Sequence, residues 1–441
     1  MVLTMNIFYV PHRFFVFAAL FYIISVSVAF AAPLPNVAYT GVYLMGDKKS
    51  EVNFPVYSRT KNEIRDALRI TMKQIDAQGK LPFRLLFDTS MEDVKGSIEN
   101  TMSLAFLVVR DDIVSEKFST HQTSITKTII NIGLVAILYD TRKIDGKSRN
   151  TIIYSFPLVG YAQRVDGDKS LSNNELNQLF INTATQTLKQ HLLNRLASVS
   201  IDELYGTVIK INNTSATISI GTLSGLEEGQ NVTFYDGQNK IAMAPVTSID
   251  KDSATVDILI DKPVKTGMRV QATNMRAVSD ETYQVVSATV TSKKAASYFT
   301  PETIGPQVAQ WYSNFLTDRG GKTVMPSRVG GSWDERSTAT SFSILDHSGL
   351  EHQFSSPRPK YPVELEITGL TKKIVDSNNV NDICLYKVWM KLTVKSKKYD
   401  KEFDLVSSKT QIKDIHQFDE KNEFFDLLYQ LSAKIAKEAE I

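Results

Sequence analysis

Val208-Ile209-Lys210-Ile211-Asn212-Asn213-Thr214-Ser215-Ala216-Thr217-Ile218-Ser219-Ile220 is answered 38 residues later by Val246-Thr247-Ser248-Ile249-Asp250-Lys251-Asp252-Ser253-Ala254-Thr255-Val256-Asp257-Ile258. The same offset carries Gly229-Gln230-Asn231-Val232 onto Gly267-Met268-Arg269-Val270. Two separate blocks sharing one offset define an internal repeat. Each copy reads as strand, polar turn, strand, then a glycine turn into a third strand. Alternating Val208, Ile218 and Ile220 give the copy one apolar face. One copy cannot bury that face alone, whereas two can close on each other. Residues 203–275 are therefore expected to form a small closed β-barrel of SH3-like size. Gly229 and Gly267 are expected at positive-φ turn positions.

The flanks of this barrel share an order of elements. Before it, Val37 to Tyr43 reads as extended, and Lys61 to Ala77 as a helix with Thr60 and Glu63 as a capping box. Phe83–Phe87, Leu104–Arg110, Ile129–Asp140 and Thr151–Gln163 read as strands. A long helix follows, capped by Ser172 and Glu175, with Leu176, Phe180, Ala184, Leu188, Leu192 and Leu196 as its apolar stripe. After the barrel comes a strand at Tyr283–Thr291, then a helix at Pro301–Asp318 with Thr300 as N-cap. Gly320-Gly321 stops that helix; Lys322–Met325 is a strand and Ser327–Lys360 a polar loop. Strands at Val363–Ile374, Ile383–Val394 and Lys401–Ile412 lead to a closing helix, Glu420–Ala439. The expected fold class is α+β: two related β-α-β-β-β-β-α domains, 37–200 and 280–441, flanking the barrel.

Residues 1–31 read as a signal peptide. Arg13 closes a polar start, Phe14 to Ala29 is apolar apart from Ser25 and Ser27, and Ala29-Phe30-Ala31 offers small residues at the two positions a signal peptidase reads. The alternative is a retained anchor, since Phe14 to Ala32 approaches the roughly 20 apolar residues of a membrane span. Either reading places the rest of the chain in an envelope or extracellular compartment, and no cysteine near the cleavage site is present to be acylated. The one cysteine, Cys384, has no intramolecular disulfide partner. About 410 residues after the leader suffice for two to four domains with cores of their own. Fifty Lys and Arg against 48 Asp and Glu leave no charge bias calling for nucleic acid. No second stretch is long and apolar enough for a spanning helix.

Catalytic motifs are sparse. Neither Gly-x-Ser-x-Gly nor the phosphate-binding Gly-x-x-x-x-Gly-Lys-Ser/Thr occurs. Asp346-His347 and Glu351-His352 lack the helical i, i+4 spacing of zinc sites and read as a polar surface loop. Asp111-Asp112 is either an acid–base pair or a turn former. Asn231-Val232-Thr233 is a glycosylation sequon, meaningful only in a eukaryotic secretory route. The expectation is a protein without catalytic, cofactor-binding or metal residues. Trp333, in Gly330-Gly331-Ser332-Trp333-Asp334-Glu335-Arg336, either anchors a partner or packs over its own domain. Lys397 and Lys398 lie in Lys395-Ser396-Lys397-Lys398, a hairpin tip matching Lys143-Ile144-Asp145-Gly146-Lys147. Lysines there protect a sheet edge or contact a partner.

The run Gly206-Thr207-Val208 through Ile220-Gly221-Thr222-Leu223-Ser224-Gly225-Leu226-Glu227-Glu228-Gly229, preceded by Ile129–Asp140 and the helix Asn173–Leu196, resembles the flagellar assembly protein T family of bacterial outer-membrane rings. It is more distantly similar to the periplasmic part of the curli secretion channel. The resemblance covers roughly residues 100–275; that family ends at its barrel, whereas a further domain follows here, and a curli-type channel carries a lipid anchor that this chain lacks. It implies a periplasmic scaffold or assembly component of an outer-membrane-associated machine, with envelope proteins as partners and a homo-oligomeric ring as one arrangement. The alternative is a glycan- or peptidoglycan-binding envelope module using Trp333, Tyr235 and other exposed aromatics.

Overall fold

A computed structural model describes residues 34–45, 51, 54–87, 102–119, 124–144, 147–167, 169–196, 199–258, 263–277, 282–299, 301–318, 322–323, 341–346, 349–355, 361–378, 383–396, 400–412 and 420–438. The expected leader, 1–31, lies outside the described residues, as do Thr300, Gly320, Gly321, Trp333, His347, Lys397 and Lys398. The protein is mixed α+β with a closed six-stranded barrel.

The barrel is the repeat made visible. Its strands are β6 (Val199–Asn212), β7 (Ser215–Ile218), β8 (Asn231–Asp236), β9 (Asn239–Ile249), β10 (Ala254–Asp257) and β11 (Arg269–Ala277), closing in the order β10-β7-β6-β11-β8-β9. A pseudo-dyad relates its halves. Val208 pairs with Ile218 and Val246 with Val256; Arg269 pairs with Thr207 and Asn231 with Pro245. A bulge falls between Val208 and Lys210, and its mate between Val246 and Ser248. Gly229 N–H donates to Val246 O at 2.8 Å, and Gly267 N–H to Val208 O at 2.8 Å. Both glycines have positive φ, 78° and 86°, as expected. Val208, Ile218, Val232, Phe234, Val256 and Val270 fill the interior. A ribbon of β6 and β11, paired from Thr207↔Arg269 to Val199↔Ala277, carries the chain in and out.

Two further sheets share one topology. The first follows β1 (Asn36–Met45), α1 (Pro55–Asp76), β2 (Arg84–Leu86), β3 (Met102–Ser119), β4 (Ser124–Ile144), β5 (Lys147–Asp166) and α2 (Asn173–Leu196). The second follows β12 (Thr282–Val290), the short α3 (Lys293–Ala296), α4 (Pro301–Asp318), β13 (Lys322–Thr323), β16 (Tyr361–Asn378), β17 (Ile383–Ser396), β18 (Asp400–Ile412) and α5 (Glu420–Glu438). Strand orders are β2-β1-β3-β4-β5 and β13-β12-β16-β17-β18, with matching directions throughout. The β1–β3 pairing slips between Tyr39 and Gly41, and β12–β16 slips between Val285 and Ser287 at the same distance from the strand start. The β3–β4 pairing slips between Val108 and Arg110, and β16–β17 between Ile367 and Gly369. Bulges re-aim side chains and persist as built features.

Two expectations are corrected. Helix α1 begins at Pro55, so Thr60 is interior to it; Thr60 is buried and its hydroxyl donates to Val56 O at 2.8 Å. Proline at the first helical position replaces the expected box. The box at Ser172 and Glu175 does form, with Ser172 N–H donating to Glu175 Oε2 at 2.8 Å and Glu175 N–H to Ser172 Oγ at 3.4 Å. The second correction concerns the expected polar loop 327–360. It contains β14 (Ser341–Leu345) and β15 (Glu351–Ser355), a hairpin that turns at Gly349, φ 83°. Ile344 and Leu345 are both buried, and only in β15 do buried His352 and Phe354 alternate with exposed Glu351 and Gln353, a period too short-lived to outweigh the polar composition around it.

That hairpin leaves its flanking strands and joins the first sheet. β14 pairs antiparallel with β1 (Leu44↔Leu345, Met45↔Ile344), and β15 parallel with β5 (Phe354↔Asn150, Ser355↔Thr151). The ring β1-β3-β4-β5-β15-β14 closes around a small core of its own, including Tyr43, Leu107, Ile137, Tyr139, Ile344 and Phe354. Phe354 meets Tyr139 edge-on at 5.0 Å.

The layers stack as helices α1 and α2, first sheet, helices α4 and α5, second sheet. Leu68, Met72, Phe180 and Leu188 cover one face of the first sheet, against Ile130 and Ile132. The other face receives α4, whose opposite side packs through Tyr312 and Leu316 onto Val363 and Leu392 of the second sheet. Because both faces are covered, β4 is buried without interruption from Thr128 to Asp140.

Candidate functional site

Three places concentrate polar or ionisable side chains: the seam between first sheet and α4, the buried acids and histidine, and the outer face of the barrel.

At the seam, Arg195 of α2 is buried. Its guanidinium donates to Pro157 O, to Asn314 O at 3.3 Å and to Asn314 Oδ1 at 3.0 Å; Val159 N–H also donates to Asn314 Oδ1, at 3.2 Å. Tyr161 stacks on Tyr429 at 5.6 Å and 21°. The helix approaches this closely because Gly133 has no side chain: a Cβ there would collide with the Gln310 amide. Gln307, Gln310 and Asn131 are buried beside the seam. Neither amide atom of Gln307, nor Gln310 Nε2, nor Asn131 Nδ2, bonds to a described residue.

Asp111 lies within β3, neither as a turn former nor beside a second acid facing a cleft. Its Oδ2 accepts from Val56 N–H and Tyr57 N–H, both at 2.8 Å, and so caps α1 from another element. Burial raises its carboxyl from 3.8 to about 7, against the two backbone donors that lower it. Asp112 pairs instead with Arg110. His352, expected at the surface, is 4% exposed and its Nε2 lies 2.7 Å from Asp346 Oδ2. Asp346 Oδ1 accepts from Leu350 N–H at 2.9 Å, so this acid fastens the hairpin turn. No group of three or more potential metal ligands occurs among the described residues.

The barrel's outer face carries a different set. Arg269 is exposed, and its guanidinium lies over the Tyr235 ring, 4.5 Å from the centroid. Lys240 stands opposite Tyr235 on β9, and Thr207 opposite Arg269 on β6. Tyr205, two residues before Thr207, is 59% exposed. On the dyad-related side, Asn231 Nδ2 donates to Thr141 O of β4 at 2.8 Å, docking the barrel to the first sheet. Asn231 and the 2% exposed Thr233 are thus held in a packed junction, which disfavours the sequon as a glycan acceptor.

Trp333, Lys397 and Lys398 lie outside the described residues. Beside the two lysines, Lys395 Nζ is 2.8 Å from Glu366 Oε2. Cys384 sits on β17 between Ser377 and Gln411, in the second sheet. Sequence reasoning singled out Tyr235 but not Arg269 or Tyr205. A signal was in the repeat: the 38-residue offset aligns Asn231 with Arg269 and Thr273 with Tyr235, two of several exchanges between the copies, which also include Asp202 with Lys240 and Asp236 with Asn274. No family model and no curated protein matches the chain. No helix among the described residues is long and apolar enough to cross a membrane.

Proposed function

We propose that this chain is a non-enzymatic scaffold of the bacterial cell envelope, exported by its leader and built from two related α+β domains around an SH3-like barrel. Its place is the periplasm, as an assembly component of an outer-membrane-associated machine such as a flagellar ring or a secretion system. The observation that carries the reading is where the interior charge goes. Asp111 caps a helix, Arg195 ties α2 to α4, and Asp346 holds His352 and a hairpin turn. Each buried ionisable group named here serves architecture, and the hairpin β14–β15 braces one domain with a segment of the other. Kinship of the two domains is supported by identical strand order and two bulges at matching registers. A glycan-binding module is the weaker reading, because a sugar needs an open ring face and Tyr235 has Arg269 over one of its own.

The test is N-terminal sequencing of the mature protein, with fractionation and crosslinking in intact cells. Cleavage after Ala31 and recovery in crosslinked envelope complexes are expected. A full-length chain in the cytosol, or a free monomer without crosslinks, overturns the proposal.

A further inference from the structure

We infer that the seam between the first sheet and α4 is a joint that opens in the folded protein. Helix α4 and the second sheet lift off the first sheet as one body, and the hairpin β14–β15, seated in the first sheet, limits the travel. The inference goes beyond the scaffold reading and does not depend on compartment or partner.

The apolar packing stops at this seam. The core under α1 and α2 and the core of the second sheet are separate clusters, and Val159, only partly buried, is the described side chain of the first sheet that packs against the second core. Helix α4 belongs to that second core, where its Val308, Tyr312 and Leu316 are fully buried. Toward the first sheet it turns amides instead. Gln307, Gln310 and Asn314 stand at i, i+3 and i+7, one face of the helix, with Gln310 over Gly133 and Asn314 at Val159. Asn131 is buried on the strand side. One helix thus has an apolar face for a permanent contact and a polar face of the kind found between domains that move relative to each other.

The closed seam leaves some of these amides without a use. Both amide atoms of Gln307, with Gln310 Nε2 and Asn131 Nδ2, are buried and bond to no described residue. Each is a cost of the closed form that water removes when the seam opens. That cost narrows the gap between closed and open forms and brings opening within reach of thermal motion short of global unfolding. What holds the seam shut is directional. The Arg195 guanidinium and Val159 N–H converge on Asn314, and Tyr161 stacks on Tyr429. Such contacts break together and re-form in one register.

Val159 N–H donates to Asn314 Oδ1 across the seam, so its hydrogen exchange reads the opening directly. The test is residue-resolved exchange on the full chain, compared among the parent, Gln307→Met and Gly133→Ala, with thermal melts to confirm folding. In the parent, Val159 N–H is expected to exchange about tenfold or more faster than the amides of β4 from Leu134 to Leu138, which lie between β3 and β5. Gln307→Met removes a cost of closure and should slow Val159 exchange about fivefold. Gly133→Ala drives a methyl into the Gln310 amide and should hasten it. Exchange at Val159 as slow as within β4, or equal in all three proteins, overturns the inference. So does destabilisation by Gln307→Met, which would mean a permanently closed seam with a buried polar partner for that amide.

Discussion

At the scale of single residues, the protein spends titratable groups on joints. Asp111 is the clearest, because its folded value of about 7 lies well above the ordinary 3.8. Between those values the native state holds a proton that the unfolded chain has released, so stability falls as pH rises through that window. A loss on the order of 4 kcal/mol between pH 4 and pH 8 is expected from this group. Asp111→Asn keeps an acceptor for Val56 and Tyr57 and removes the titration. Urea unfolding at the two pH values should show a flatter pH profile for the variant; an unchanged profile assigns the slope elsewhere. Gly133 is a joint of another kind. It is the residue paired just past the β3–β4 bulge, and Lys391 holds that register in the second sheet. Gly133→Ala pushes a methyl into the Gln310 amide and should cost about 1–3 kcal/mol as overpacking. Lys391 faces outward, half exposed, with Glu402 at 3.0 Å and Asp404 at 3.6 Å, so Lys391→Ala should leave the unfolding midpoint nearly unchanged.

Elements show which features short-range pattern can carry. The barrel was legible because its repeat is local: β6–β7, β8–β9 and β9–β10 each pair across one short turn, and the 38-residue offset survives in the side chains. Helix α2 was legible for the same reason, its capping box and stripe being contained in one segment. The start of α1 was not, since its cap comes from Asp111, more than fifty residues on. Nor was the hairpin β14–β15, whose partners Leu44 and Asn150 lie 301 and 204 residues before Leu345 and Phe354. The barrel's aromatic row was half legible, through Tyr235, because no sequence pattern says which of two duplicated faces is already covered. Helix α4 gives a prediction from the same cause. Its amphipathic pattern serves two layers at once, leaving Gln307 fully buried with neither amide atom bonded to a described residue. An unpaired buried amide costs about 1–3 kcal/mol, so Gln307→Met, similar in length and apolar, should stabilise by about 1 kcal/mol in chemical denaturation. A destabilised variant would mean that Gln307 has a polar partner.

The whole molecule behaves as a stack with an appended barrel. The stack has a blunt end: where the first sheet's outer face offers Gly133 and Val159 to a helix, the second offers Lys391 and Asp404 to water. Charged side chains at that register keep a further helix layer from packing, as terminal units of layered proteins require. Within the stack, three devices make cooperative units of the two sheets: α4 between them, Arg195 across them, and the hairpin that closes the first with a segment from the second. The barrel, by contrast, has its own closed core and meets the rest through the β6–β11 ribbon and the Asn231–Thr141 bond. Differential scanning calorimetry of the full chain should therefore resolve two transitions. Phe354→Ala empties a fully buried ring site against Tyr139 and should lower the stack's transition alone, by a destabilisation of about 3–5 kcal/mol. Phe234→Ala, in the barrel interior, should lower the other alone by a similar amount. If both variants shift one common transition, the barrel and the stack fold as a single unit, and the ribbon transmits more than the contacts described for it.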